Sequence, residues 1–308
     1  MQVAQLAKYL NDEEAATDLL EEMRWAGGRF CPSCGCTETY RLNVKKIKRR
    51  RYKCRGCQKQ FTVSVGTVME DSHIPFGKWI YAIYQMCIAK KGVSAKQLQR
   101  ELGLGYRAAW FMCHRIRYAM TQAPLAGMLS GIVEMDETYV GGKQRGRNNV
   151  GRDNKTKTAV LSLVERDGRA KSFVVPDVKG PTLKELAYDN IEITADVMTD
   201  RFVSYKGLQG HFASHQAVDH SKEFARGIVH VNFAESYFSL LKRGIIGTFH
   251  HISSDHLQRY LGEFDFRWNH RKADTGVAFA NVVRGSVGKR LRYRNVNASI
   301  YVNIGDGI

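Results

Sequence analysis

The chain has 308 residues, long enough for two domains and a small third. Its 47 Lys and Arg outnumber 30 Asp and Glu, giving a formal charge of +17, and 44% hydrophobic residues suffice for a real core and exclude wholesale disorder. No run of 18 apolar residues exists: the best stretch, Trp79–Ala89, is short and broken by Gln85, which excludes a transmembrane helix. The N-terminus, MQVAQLAKYLNDEEAATD, carries acids where a secretory signal needs an apolar core. Residues 1–27 are therefore expected to be an N-terminal helical segment of a cytoplasmic protein. Seven cysteines in that compartment point to metal before disulfides.

Residues 28–70 read as a zinc ribbon. Cys31-Pro-Ser-Cys34 and Cys54-Arg-Gly-Cys57 are two CxxC knuckles separated by 19 residues. Two tight turns that each offer a pair of sulfurs supply the four tetrahedral ligands zinc prefers. Short strands are expected around Tyr40–Leu42, Arg51–Lys53 and Gln60–Val63. Cys36 is expected to stay free, and Cys87 and Cys113 to be core thiols. Between the knuckles or beside the second lie Lys45, Lys46, Lys48, Arg49, Arg50, Arg51, Lys53 and Arg55, with Tyr52 interleaved. Residues 1–130 sum to +11 and residues 131–308 to +6, so the first half is the more basic. Phosphate backbones are the matching polyanion, because each Lys or Arg contact releases condensed counterions.

Residues 71–125 read as a helix-turn-helix region. PFGKWIYAIYQMCIAKKG is one amphipathic helix ending at Gly92. Ser94 is an N-cap with Gln97 at the capping-box position. Gly103-Leu104-Gly105 makes a tight turn, and Tyr106–Met120 forms the second helix with Arg107, Arg115 and Arg117 available.

From Gly131 the pattern becomes strand-rich. Strands are expected at Ile132–Val140, Lys157–Val164, Lys171–Val178, Asp196–Thr199 and Ala213–Val218. Thr182–Tyr188 is a helix after Gly180-Pro181, with Thr182 and Glu185 as a capping box. Asn232–Lys242 and Asp255–Asn269 are further helices. The first three strands can form an antiparallel meander. The fourth follows a crossover helix and must run parallel to the first. The expected fold of residues 130–272 is a mixed α/β sheet of the ribonuclease H type, followed by a basic C-terminal extension over 273–308, where Arg284, Lys289, Arg290, Arg292 and Arg294 cluster.

Three acids stand out by position: Asp136 in the first strand, Asp200 at the end of the fourth, and Glu235 in the first turn of a helix. Strands one and four are neighbours in this topology, so their aspartates meet. Converging carboxylates can hold two divalent ions about 3.5–4 Å apart, which activate a nucleophilic oxygen and stabilise the leaving one. Magnesium suits such an oxygen cage. Asn232, Glu235, Ser239 and Lys242 share one helix face, and Lys242-Arg243 can hold a phosphate beside the metals. Glu134 shares the strand face of Asp136 and competes with it. Glu137 is expected on the opposite face, and Asp196 in a turn.

With these residues the chain resembles bacterial insertion-sequence DDE transposases that carry an N-terminal zinc ribbon and an ISXO-like catalytic domain. The resemblance spans nearly the whole length. It rests on Arg24-Trp25, CPSCG, CRGCQKQFTVSVGTVM, VEMDETYVGGK at Val133–Lys143, TDRFVSYKGL at Thr199–Leu208, VHVNFAESYFSLLKRGIIGTFHHIS at Val229–Ser253, HLQRYLGEFDFRWNHR and GKRLRYR. It implies a ribonuclease H-like fold and divalent-metal-dependent DNA cleavage and strand transfer, with two Mg2+ (or Mn2+) and one structural Zn2+. The family's acidic triad maps onto Asp136, Asp200 and Glu235, with 63 and 34 residues between, and its lysine onto Lys242. Some relatives place Asn at the third position, which makes Asn232 the alternative.

The resemblance implies an enzyme that binds the terminal repeats of its element and transfers a 3′-hydroxyl end to target DNA. Expected DNA contacts are Lys45, Lys46, Lys48, Arg49, Arg50, Arg51, Arg107, Arg115 and Arg243. The expected setting is a homo-oligomer on double-stranded DNA, bacterial and nucleoid-associated. Two rival readings are a nuclease on the same fold that does not join ends, and a DNA-binding regulator with an inert catalytic domain.

Overall fold

The computed structural model describes residues 3–43, 49–121, 127–141, 157–219 and 227–293. The chain divides into two compact units, one formed by Met1–Thr121 with Lys272–Val296 and the other by Gln122–Arg271. Among the described residues no helix is long and apolar enough to cross a membrane.

The first unit opens with α1 (Val3–Asn11) and α2 (Glu13–Arg24). Asp12 caps α2 by accepting from the amides of Glu14 and Ala15. The ribbon follows as β1 (Thr39–Leu42), β2 (Arg51–Cys54) and β3 (Gln60–Phe61), an antiparallel sheet in that order. Trp25 packs edge-on against Tyr52 and Phe61, at 5.8 and 6.1 Å between ring centroids. Arg24 is buried and donates to the carbonyl of Val63. The Arg-Trp pair therefore fastens the ribbon to the end of α2.

The helices α3 (Phe76–Ile88), α4 (Ala95–Leu102) and α5 (Tyr106–Met120) complete the expected helix-turn-helix region. Ser94 Oγ accepts from the Gln97 amide at 3.1 Å, but the Gln97 side chain turns away to Glu101, so only half of the capping box forms. Gly103 takes the left-handed conformation (φ 58°) that ends α4, a geometry costly for residues with a Cβ. Gly77 marks a close crossing: a Cβ there would lie 2.1 Å from the carbonyl oxygen of Tyr9 on α1. The extension expected over 273–308 contains a helix, α9 (Thr275–Gly285). Ala278, Phe279, Val282 and Val283 are buried at helical spacing, and α9 packs against α2, α3 and α5. It is part of the first unit's core; Arg294 lies outside the described residues.

The second unit is built on one five-stranded sheet: β4 (Ile132–Val140), β5 (Thr158–Glu165), β6 (Ala170–Val175), β7 (Asp196–Asp200) and β8 (Ser214–Val218). Their spatial order is β6-β5-β4-β7-β8. β4, β5 and β6 pair antiparallel, β7 runs parallel to β4, and β8 runs parallel to β7. The crossover from β6 to β7 contains α6 (Gly180–Asn190). This is the ribonuclease H-like topology. The capping box expected at Thr182 and Glu185 does not form. Lys179 is the N-cap, and Asp177 accepts from the Thr182 hydroxyl instead.

One sheet face packs on α6, around Val133, Met135, Leu161, Leu183 and Val197. The other packs on α7 (Asn232–Gly244) and α8 (Ser254–Asn269), around Val160, Met198, Tyr237, Leu241, Leu261 and Phe264. With both faces covered, the interior of β5 is buried throughout rather than alternating. A buried polar cluster pins these helices to the sheet. Asp265 of α8 accepts from the Ser172 amide (3.0 Å), the Ser172 hydroxyl (2.8 Å) and the Tyr237 hydroxyl of α7 (2.6 Å).

Burial pushes the Asp265 carboxyl up to about 7, against the favourable Tyr237 and Ser172 donors. An unfolded aspartate titrates near 4, so this group favours the fold fully below about pH 4 and loses that contribution as pH rises through about 7. Asp265→Asn cannot ionise. The stability advantage of the wild type over Asp265→Asn should therefore shrink between about pH 4 and pH 8 in thermal melts. An advantage that stays constant or grows would contradict this.

Candidate functional site

The ribbon turns bring four sulfurs together. Cys31, Cys34, Cys54 and Cys57 place their Sγ atoms within 4.8 Å of one another. Cys31–Cys57 and Cys34–Cys54 are each 3.6 Å apart. Zinc–sulfur bonds of about 2.3 Å give a tetrahedron with edges of about 3.8 Å, so the set has the dimensions of a zinc site. The Cys57 amide donates to Cys54 Sγ at 3.5 Å, and Cys54 is pushed down to about 6. Cys34 is favoured as a thiolate by the Cys36 amide, but the sulfurs of Cys57 and Cys54 push it up to about 12. A central cation would relieve that conflict. Cys36 is outside the four-sulfur group, Cys113 is buried, and Cys87 is half-buried.

The acids occupy the second unit. The parallel register of β4 and β7 pairs Met135 with Thr199, so Asp136 and Asp200 follow side by side. Alternation along both strands directs them to the α7 side of the sheet, the side of Val140 and Met198. Glu235 is on the first turn of α7 and is exposed. Burial pushes the Asp136 carboxyl up to about 7, helped by the charges of Glu137, Asp200 and Glu235. The three acids thus feel one another, but among the described residues only the four cysteines form a metal-sized group of ligand atoms. The donors are all carboxylate oxygens, the chemistry that hard divalent cations take. Asn232, Glu235, Ser239 and Lys242 are all exposed on α7, as their spacing predicts.

The competing acids are accounted for. Glu137 points to the opposite face and accepts from the buried Tyr205 hydroxyl, just beyond Asp200. Asp196 accepts from Ser214 of β8. Glu134 is wholly buried, and both its oxygens accept hydrogen bonds, from Arg166 and from the amides of Phe233 and Ala234. After Arg243, α7 continues into a π turn, Ile245–Phe249, with Ile246 exposed.

The expected DNA contacts divide into three groups. Lys45, Lys46 and Lys48 lie outside the described residues, as does Lys143. Arg51, Arg107 and Arg243 are exposed. In three others the guanidinium groups are engaged within the unit. Arg49 donates to the carbonyls of Ser72 and Ile74, both at 2.6 Å. Arg50 pairs with Asp18 and Glu21 of α2. Arg115 is buried, donates to the Glu70 carbonyl and lies over the rings of Trp79 and Phe111, and burial pushes it down to about 10. Arg117 is buried too. Both lie in the second half of α5, which α3, α4 and α9 surround. The exposed cations of α4 and α5 are Lys96, Arg100 and Arg107, beside exposed Tyr106. Lys96 and Arg100 sit four apart on α4, opposite buried Leu98 and Leu102, and that amphipathic spacing was the available signal.

A four-thiol ribbon, together with a ribonuclease H-like sheet bearing acids on one face, marks the class of DNA-processing proteins with this fold. Residues 128–269 match the ISXO2-like transposase domain and residues 11–60 the transposase zinc-ribbon domain. The chain is 31% identical over 276 residues to an uncharacterized protein in transposable element ISH50 of Halobacterium salinarum, covering 83% of this chain and 90% of that protein. It is 29% identical over 117 residues to an uncharacterized transposase-like protein of Haemophilus influenzae, covering 38% of this chain and 94% of that one. Among solved structures, a pre-cleavage Mos1 transpososome aligns over 69% of this chain and 80% of that one, with 12% identity and a TM-score of 0.23. This chain belongs to the ISXO2-like transposase family.

The sulfur geometry makes a direct expectation. Metal analysis should find about one zinc per chain, and Cys54→Ser should lose it while Cys36→Ser keeps it. Full zinc retention by Cys54→Ser would refute the assignment.

Proposed function

We propose that this transposase binds the terminal repeats of an insertion sequence in double-stranded DNA, cleaves at the element ends and joins the freed 3′-hydroxyl to target DNA. The observation that carries this reading is the side-by-side register of Asp136 and Asp200 on the sheet face where α7 brings Glu235. In this reading Asp136, Asp200 and Glu235 hold two Mg2+ (or Mn2+), which when bound supply activation of the attacking oxygen and stabilisation of the leaving one. Glu235 rather than Asn232 is the third ligand in this reading, because a carboxylate, unlike a neutral amide, brings the charge a hard divalent cation takes. Lys242, two turns along the same exposed face, and Arg243 beside it hold the DNA phosphate against the acids. The relatives' association with a transposable element and with transposases supports the reading. An element has two ends, so a homo-oligomer, with one acidic site per end, is the working form.

Asp136→Asn or Asp200→Asn should abolish cleavage and joining while leaving DNA binding nearly intact. Each removes charge that stabilises the transition state but that ground-state binding does not use. Glu235→Gln should behave likewise, Asn232→Ala should retain activity, and Lys242→Ala should be milder because it misplaces a phosphate. These are measured with labelled element ends. Cleavage without joined product by the wild type would make the protein a nuclease. Wild-type activity in all the acid variants would defeat the two-metal reading.

End recognition is assigned to the first unit, through the ribbon and the exposed N-terminal turn of α5, where a helix-turn-helix meets bases. A fragment ending near residue 125 would lose α9 from its core, so the test uses the full chain. Arg107→Ala should weaken binding to element ends. If its contact is to a phosphate, the slope of log affinity against log salt should fall by about one. Unchanged affinity in Arg107→Ala would remove Arg107 from the interface.

A further inference from the structure

The N-terminus of α7 lacks a side-chain cap of its own. Its N-cap residue is Val231, which has no side-chain acceptor. The first intrahelical bond runs from the Glu235 amide to the Val231 carbonyl at 3.0 Å. The amides ahead of it need another partner. Glu134 of β4 provides one: its Oε2 accepts from Phe233 (2.7 Å) and Ala234 (3.1 Å). Its Oε1 accepts from Arg166 Nε (2.7 Å) and lies 3.1 Å from His230 Nδ1. Arg166, in the turn after β5, also donates to the His230 carbonyl at 3.0 Å, and its own amide donates to Ile132 of β4 at 2.9 Å. Strand, turn and helix start are closed into one ring of hydrogen bonds.

Glu134 sits two residues before Asp136 on the same strand, and the amides it holds immediately precede Glu235. One carboxylate therefore links the strand that carries the first acid to the helix that carries the third. A second consequence is electrostatic. Unpaired amides at a helix start attract any first-turn carboxylate. Glu134 occupies them and leaves Glu235 exposed.

We propose that Glu134 is a positioning residue for the acidic site, setting the place of Glu235 relative to Asp136 by capping α7. The inference rests on the reading of Asp136, Asp200 and Glu235 as divalent-metal ligands. It assigns Glu134 no contact with metal or DNA, because both its oxygens are already engaged.

The test uses the full-length, zinc-loaded protein and Mn2+ binding measured by electron paramagnetic resonance, with no turnover required. Glu134→Gln should weaken Mn2+ binding about 10-fold, the scale on which residues that support metal ligands act. Hydrogen exchange should show lost protection at Phe233 and Ala234. The decisive arm repeats Glu134→Gln in a Glu235→Gln background, where it should cause no further loss of Mn2+ affinity. A purely structural role would weaken binding equally in both backgrounds. If Glu134→Gln does not fold, His230→Asn keeps the carboxylate, loosens the same ring and should show a smaller loss with the same non-additivity. Equal losses in both backgrounds, or unchanged Mn2+ affinity with exchange protection lost, would overturn the inference alone. A wild type that binds no Mn2+ would overturn the reading beneath it as well.

Discussion

The acidic site exists because β7 lies parallel against β4. Hydrogen bonding between these strands fixes their register to the residue, and a slip of one position would send Asp200 to the opposite face of the sheet. Parallel neighbours need a crossover, here the segment containing α6, whose buried Leu183, Leu186 and Ala187 cover one sheet face. That leaves the other face to α7 and α8. The apolar contacts of Tyr237 and Leu241 hold α7 down, and Asp265 ties it to α8 and β6. Asp136, Asp200 and Glu235 are thus placed by three separate features: a strand pairing, a crossover and a helix dock.

Such a gathering of carboxylates works against the fold unless something compensates. Asp136 shows the cost directly, since burial and three nearby acids raise its carboxyl to about 7. The surrounding acids are handled in different ways. Glu137 is turned to Tyr205 on the far face, and Glu134 is spent on a helix terminus and an arginine. What remains on the near face are Asp136, Asp200 and exposed Glu235, the carboxylates proposed to share cations.

The first unit shows the same economy with positive charge. Many arginines of this unit are structural. Arg24, Arg49, Arg50 and Arg115 each donate to a backbone carbonyl or pair with an acid inside the unit. Arginine suits this work because its guanidinium stays charged and offers several donors in one plane. The cations left over for a polyanion are those on the outer faces of short elements, such as Arg51, Lys96, Arg100 and Arg107.

Much of this was legible in the linear chain. The CxxC pairs, the strands, the Ser94 cap and the acids on β4 and β7 depend on local spacing, and local spacing is what sequence records. The order of the first four strands followed as well, because a meander followed by a crossover leaves few arrangements. The tertiary structure alone decided which like residues do different work. Arg107 and Arg115 read alike, yet one meets solvent and the other donates to the Glu70 carbonyl and lies over Trp79 and Phe111. Glu134 and Asp136 share a strand face, yet only folding shows that the amides of Phe233 and Ala234 claim the first. Partners that distant leave no periodic signal, so their pairing is set by packing rather than by the order of residues.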